Sequence, residues 1–337
     1  MAYVGVTATS SGLEATGGPR EGLAEGLGRA LAGVAPGAPV VVLVHGWKFH
    51  PGIPRADPHR SLYAFRPDPD RRIRSWPQGL GIADDAGDSG LAIGFAWPAS
   101  APHLPSLLGS GRTGFAEVYD RAGEAGVALA ALVGLVQRLA PGRPVDVLAH
   151  SLGARVALAA LPHLARAPDR MILLGAAELA PRAAEFLAAR RAAAAPAIYN
   201  VTARTNDLYD LAFECFVPRR ARGERAVGSG LGAGLAGVPT WVDLQLDRSD
   251  VTAWANAQGI GLSPETARCC HWGFYTRRGA LAFYQAILRR RPGWEVETLK
   301  RLPCFAAQEP RWSRLLPRRL AALPRLDPPL AGVAFER

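Results

Sequence analysis

The run Val145-Asp146-Val147-Leu148-Ala149-His150-Ser151-Leu152-Gly153-Ala154 constrains this chain more than any other. A short apolar stretch ends in Ala-His-Ser-Leu-Gly and a helical pattern starts at once. That is the layout of a nucleophile elbow: strand, sharp turn carrying a serine, helix. The turn strains the serine backbone, and bulky side chains two positions either side would collide with the neighbouring strand and helix. The usual pattern is G-x-S-x-G; here Ala149 replaces the first glycine and adds only a methyl group. The bare string is weak, and its alternative is an ordinary strand-to-helix turn with an N-capping serine. Its placement between a strand and a helix gives it force.

Nearly continuous apolar runs at 40–44, 91–97, 145–149, 171–174 and 197–202 predict strands. Helical spacing predicts helices over 115–140, 152–161, 182–195 and 277–290. Strands that alternate with helices imply an α/β fold: a mostly parallel sheet with helices on both faces. Right-handed crossovers bring the C-terminal ends of the strands to one edge, where open α/β sheets hold their sites. Residues 45–47, 150–152 and 203–207 are therefore expected to converge. The segments 48–90 and 214–265 break the alternation and read as lid-like insertions; Leu62, Tyr63, Trp76, Trp241, Val242 and Trp254 favour ordered packing over loose loops. The main domain is read as 1–292, followed by a Pro- and Arg-rich C-terminal extension over 293–337.

A serine hydroxyl needs a base, and the base needs a partner that fixes its tautomer. After an elbow the chain order is serine, acid, histidine. His271 is the histidine that follows the later strands, just before the last long helix. Asp207, in Ala203-Arg204-Thr205-Asn206-Asp207, follows the strand at 197–202 and is the first choice of acid. Asp210 is its nearest rival and Glu178 a second; Asp243, Asp247 and Asp250 are less well placed. Oxyanion donors are expected from the Leu152 amide at the start of the elbow helix and from the Trp47 amide beside Gly46. His45 and His150 read as structural. His50, Asp57 and His59 are metal-binding residue types, but their proline-broken spacing fits no regular site. No metal or cofactor is called for.

These elements resemble an α/β-hydrolase, within it a bacterial esterase/lipase-like branch of unassigned function. The resemblance rests on His45-Gly46-Trp47, Phe95-Ala96-Trp97-Pro98, Tyr119-Asp120-Arg121, Ala149-His150-Ser151-Leu152-Gly153 with Arg155-Val156, and Asn206-Asp207, and covers roughly residues 38 to 290. It implies a Ser-Asp-His triad at Ser151, Asp207 and His271, and its substrate does not carry over. The residues themselves lead first to hydrolysis of a carboxylic ester or related acyl bond through an acyl-enzyme. A non-catalytic binding protein on the same fold and an acyltransferase are the alternatives.

The chain has 337 residues and a formal net charge of +10, and its basic residues other than Lys48 and Lys300 are arginines. That charge makes an anionic membrane surface a possible partner beside a small-molecule ester or acyl substrate. No nucleic-acid-binding pattern accompanies it. The N-terminus lacks a secretory pattern, no apolar run approaches the ~20 residues that span a bilayer, and the four cysteines form no C-x-x-C pair. A cytoplasmic protein with reduced thiols is the expectation; oligomeric state is not legible.

Overall fold

The computed structural model describes residues 2–16, 22–66, 74–84, 87–101, 114–189, 195–221, 223–230, 235 and 237–315. Its strands are β1 (Tyr3–Thr9), β2 (Gly12–Thr16), β3 (Val40–Val44), β4 (Leu91–Ala96), β5 (Asp146–His150), β6 (Arg170–Leu174), β7 (Ala197–Thr202) and β8 (Trp241–Gln245). They form one sheet in the order β2-β1-β4-β3-β5-β6-β7-β8. Every pairing is parallel except that of β1 with β2. The helices are α1 (Leu23–Ala32), α2 (Trp76–Gly79), α3 (Gly114–Leu139), α4 (Leu152–Ala160), α5 (Ala180–Ala188), α6 (Asp207–Phe216), α7 (Ser249–Ala257), α8 (Gly273–Thr276), α9 (Ala280–Leu288), α10 (Val296–Arg301) and α11 (Pro303–Ala306).

Strand β3 explains why its residues read as an unbroken apolar run. Val40, Val42 and Val44 enter one core, with residues of α1, α3, α4 and α5; Val41 and Leu43 enter the other, with residues of α9 and α10. Successive strand side chains point to opposite faces, and both faces are covered, so no position is left for a polar residue. The chain runs from β3 to β4 on one side, then returns to place β5 on the other side of β3. This reversal is a topological switch point, and the crevice at the strand ends there is where such sheets bind ligands.

Two sequence expectations change. The segment 214–265 is not an insertion throughout, because it contains β8, the edge strand paired with β7, and α7. Helix α3 is also long and apolar enough to cross a membrane by length and composition, where no such run was expected. In the fold its Val118, Ala122, Leu129 and Val133 are buried in the core. Leu62, Tyr63, Trp76, Leu80 and Ile82 of 48–90 are buried too. Within the C-terminal extension α10, α11 and residues 307–315 lie on the β7–β8 side of the domain. Residues 316–337 of the extension, 67–73 and 85–86 of the segment 48–90, 190–194 of the helix expected over 182–195, and 222, 231–234 and 236 of the segment 214–265 lie outside the described residues.

Candidate active site

Ser151 stands between β5 and α4 with φ 55° and ψ −124°. A non-glycine residue here is strained, and such strain persists only where the surroundings over-determine it. The neighbouring glycines do so. A Cβ on Gly153 would lie 2.5 Å from the Val44 carbonyl oxygen and 2.6 Å from that of His45, so α4 can start against the end of β3 only without one. A Cβ on Gly46 would lie 2.7 Å from the Ser151 Cβ, which places the loop after β3 directly against the serine. The Ser151 amide donates to Leu174 O at 2.9 Å, tying the turn to the end of β6.

His271 reaches the same place from the segment before α8. Its Nδ1 lies 2.7 Å from Asn206 Oδ1. An amide oxygen only accepts, so Nδ1 carries the proton and Nε2 keeps its lone pair. The ring stacks on Tyr209 at 4.7 Å between centroids and lies 4.5 Å from the His150 ring. Burial, with smaller contributions from His150 and Lys48, holds its pKa well below the usual histidine range. The imidazole is therefore neutral at neutral pH. The Cys270 amide donates to Thr205 O at 2.9 Å, stitching the His271 segment to the loop after β7. Among the described residues no hydrogen bond joins the Ser151 hydroxyl to the His271 ring, although both line one cavity.

The structure does not bring Asp207 to His271; it brings Asn206. The reason is helix phase. Asn206 and Asp210 are four residues apart at the start of α6 and share a face, and Asn206 Nδ2 donates to Asp210 Oδ1 at 2.9 Å. That bond turns the amide oxygen towards His271. Asp207 is rotated about 100° away. Its Oδ2 accepts from the Trp312 amide at 2.6 Å, and its Oδ1 lies 3.4 Å from Arg204. Asp210, the nearest rival, thus meets His271 through Asn206; burial pushes its carboxyl up to about 8, so it is largely protonated at neutral pH. Glu178 is spent elsewhere: fully buried, it accepts from the Tyr119 hydroxyl at 2.5 Å and from Arg155. Asp247 accepts from the Arg204 amide at 2.8 Å and from Arg314 Nε at 2.8 Å, and so fixes the turn that carries Asn206. Asp243 binds Asn200 and Trp241, and Asp250 binds Arg248.

Of the expected oxyanion donors, Leu152 is the first residue of α4, so its amide has no intrahelical acceptor. Trp47 follows Gly46 and lines the cavity. The next amide, that of Lys48, is used by Ala99 O at 2.9 Å. His45 is structural: Nδ1 donates to Gly46 O, Nε2 accepts from the Trp97 amide, and burial pushes its pKa down to about 3. His150 Nε2 donates to the His271 carbonyl at 3.2 Å, and burial pushes its pKa down to about 4. In the proline-broken stretch, His59 accepts from Tyr3 at 2.5 Å and Asp57 caps the His59 amide.

The cavity has a volume of about 460 Å³ and opens at the C-terminal ends of β3, β5 and β7. Phe115, Phe213, Tyr209, Trp272 and Tyr275 form its apolar walls, while Ser151, His271 and Asn206 converge on it, with Lys48 also in the lining. A few polar groups inside an aromatic wall suit a ligand with an apolar body and one reacting polar centre.

Residues 78–195, which span β4 to β6 and include the elbow, match a family described as Alpha/beta hydrolase of unknown function (DUF900). That match, together with the mostly parallel sheet covered on both faces, is consistent with an α/β-hydrolase-like protein of unassigned function. Among curated proteins none matches the chain.

Proposed function

We propose that this protein is a serine hydrolase that cleaves a carboxylic ester or related acyl bond, with Asn206 in place of Asp207 behind the histidine. The observation that carries the reading is the strained Ser151 at the elbow in one cavity with a neutral His271 whose Nδ1 proton is held by Asn206. His271 Nε2 takes the Ser151 proton as Oγ bonds to the carbonyl carbon. The Leu152 and Trp47 amides hold the oxyanion. The imidazolium then protonates the leaving alkoxide, and water, activated by the same ring, frees the acid from the acyl-enzyme. The apolar cavity supports an apolar acyl group. In this reading Asp210 positions Asn206 and touches no reacting atom. A fluorophosphonate probe is expected to form one adduct, on Ser151; a folded protein that never labels there sinks the reading and favours a binding protein.

An amide behind the base has a consequence for pH. His271 must be neutral to accept a proton, and its lowered pKa keeps it so below the ordinary histidine value of 6.5. The acid limb of kcat/KM is therefore expected below that value. Asn206→Asp puts a carboxylate against the ring and favours the imidazolium, so the limb moves to higher pH. A kcat/KM profile between about pH 5 and 8 tests this, and an unmoved limb in the variant counts against Asn206 as the partner of the base.

A further inference from the structure

Helix α6 is amphipathic in the wrong sense for water. Its buried face carries Asp207, Asp210 and Glu214 as well as Phe213, while Leu208, Leu211, Ala212, Cys215 and Phe216 are exposed. Their spacing, with steps of three and four residues, draws one outward stripe along the helix. Leu208, Leu211, Phe216 and Trp272 are four of the seven exposed large apolar side chains among the described residues, and Phe216 and Trp272 remain 52% and 48% exposed. Phe216 and Trp272 also line the cavity that holds Ser151, so the stripe is continuous with the site's rim.

The charges around the stripe are sorted. The α6 carboxylates are turned inward: Glu214 is paired with Arg311 and Arg225, and Asp207 with Arg204. On the outside, Arg219 and Arg220 follow Phe216 after Val217 and Pro218 and are exposed, and Lys48 is exposed at the cavity. Arg220 reaches Glu185 across the surface; Arg219 and Lys48 have no ion-pair partner among the described residues. An apolar helical stripe with cations at its margin is the pattern of a helix that lies in the interface of an anionic bilayer.

We propose that the outward face of α6, with Trp272 and the flanking cations, docks on an anionic lipid surface and sets the cavity mouth against it. The occupant follows from charge complementarity, because the inward-turned carboxylates leave an apolar face rimmed by positive charge. Docking needs no chemistry at Ser151, so it stands or falls apart from the hydrolase reading. The full chain is mixed with vesicles of phosphatidylcholine, and with vesicles of equal parts phosphatidylcholine and phosphatidylglycerol, and bound protein is measured by flotation. Wild type and Ser151→Ala are expected to bind the anionic vesicles alike, more weakly at high salt, and the neutral ones little. Leu208→Glu/Leu211→Glu replaces two exposed side chains outside the cavity lining. It is expected to lower anionic-vesicle binding at least about tenfold and to leave cleavage of a short soluble ester unchanged. Wild type that does not float with anionic vesicles, or a double variant that floats equally well, overturns the proposal. So does a wild-type dimer that the double variant splits in light scattering without vesicle binding, since that result assigns the face to a second copy.

Discussion

Ser151→Ala is expected to lower kcat/KM for a p-nitrophenyl ester by roughly 10⁴- to 10⁶-fold, the range seen when a nucleophile that acts as a unit with its base is removed. His271→Ala should cost a similar factor, and the double variant little more than either, because each change disables the same proton transfer. The residual rate over water comes from the oxyanion donors and from binding. The protein itself should stay folded. No hydrogen bond from a described residue depends on the Ser151 hydroxyl, and alanine meets the same φ of 55° that serine already bears. Turnover by Ser151→Ala at the wild-type rate, with an unchanged unfolding midpoint, removes Ser151 from the mechanism.

Glu178→Ala is expected to destabilise the fold by about 3–5 kcal/mol, the cost of leaving a buried charge without its partner. Glu178 is fully buried and Arg155 nearly so. The Arg155 guanidinium lies 3.6 Å from the Tyr119 ring centroid, and its Nε donates to Tyr119 O at 2.6 Å. The Leu179 amide donates to Glu178 at 2.7 Å. Truncating Glu178 strands this amide, the Tyr119 hydroxyl and the guanidinium together. The network clamps α3 to α4 beneath the elbow, which gives Tyr119 and Arg155 of the sequence motif a structural role. Replacing both charges by apolar residues of similar volume, as in Arg155→Met/Glu178→Leu, should be much less costly than Glu178→Ala. Urea unfolding of the three proteins decides it: equal midpoints for wild type and Glu178→Ala contradict the assignment.

The sequence revealed those strands whose two faces are both buried, for a physical reason. β3 through β7 leave few positions for a polar residue, so they appear as apolar runs. β8 was hidden inside an apparent insertion because its polar residues are satisfied locally. Asp243 accepts from Asn200 and Trp241, and Gln245 donates to Asp247. β1 and β2 lie at the other edge, where partial exposure breaks the pattern. At the site, the elbow and the segment carrying His271 were legible from order alone. The choice between Asn206 and Asp207 was not, because adjacent residues at a helix start point about 100° apart and the first residue of α6 is fixed by packing. The four-residue spacing of Asn206 and Asp210 was the available signal. The strap at 307–315 was equally silent, since Arg311, Trp312 and Arg314 hold it through carboxylates and a backbone amide rather than an apolar stripe.

The most direct test of the account is to catch the covalent intermediate. Protein mixed with a p-nitrophenyl ester of an apolar acid is quenched in acid during turnover, and its intact mass and peptides are read by mass spectrometry. A gain equal to the acyl group is expected, confined to the peptide that contains Ser151 and absent from Ser151→Ala. Steady turnover with the acyl group on another residue contradicts it.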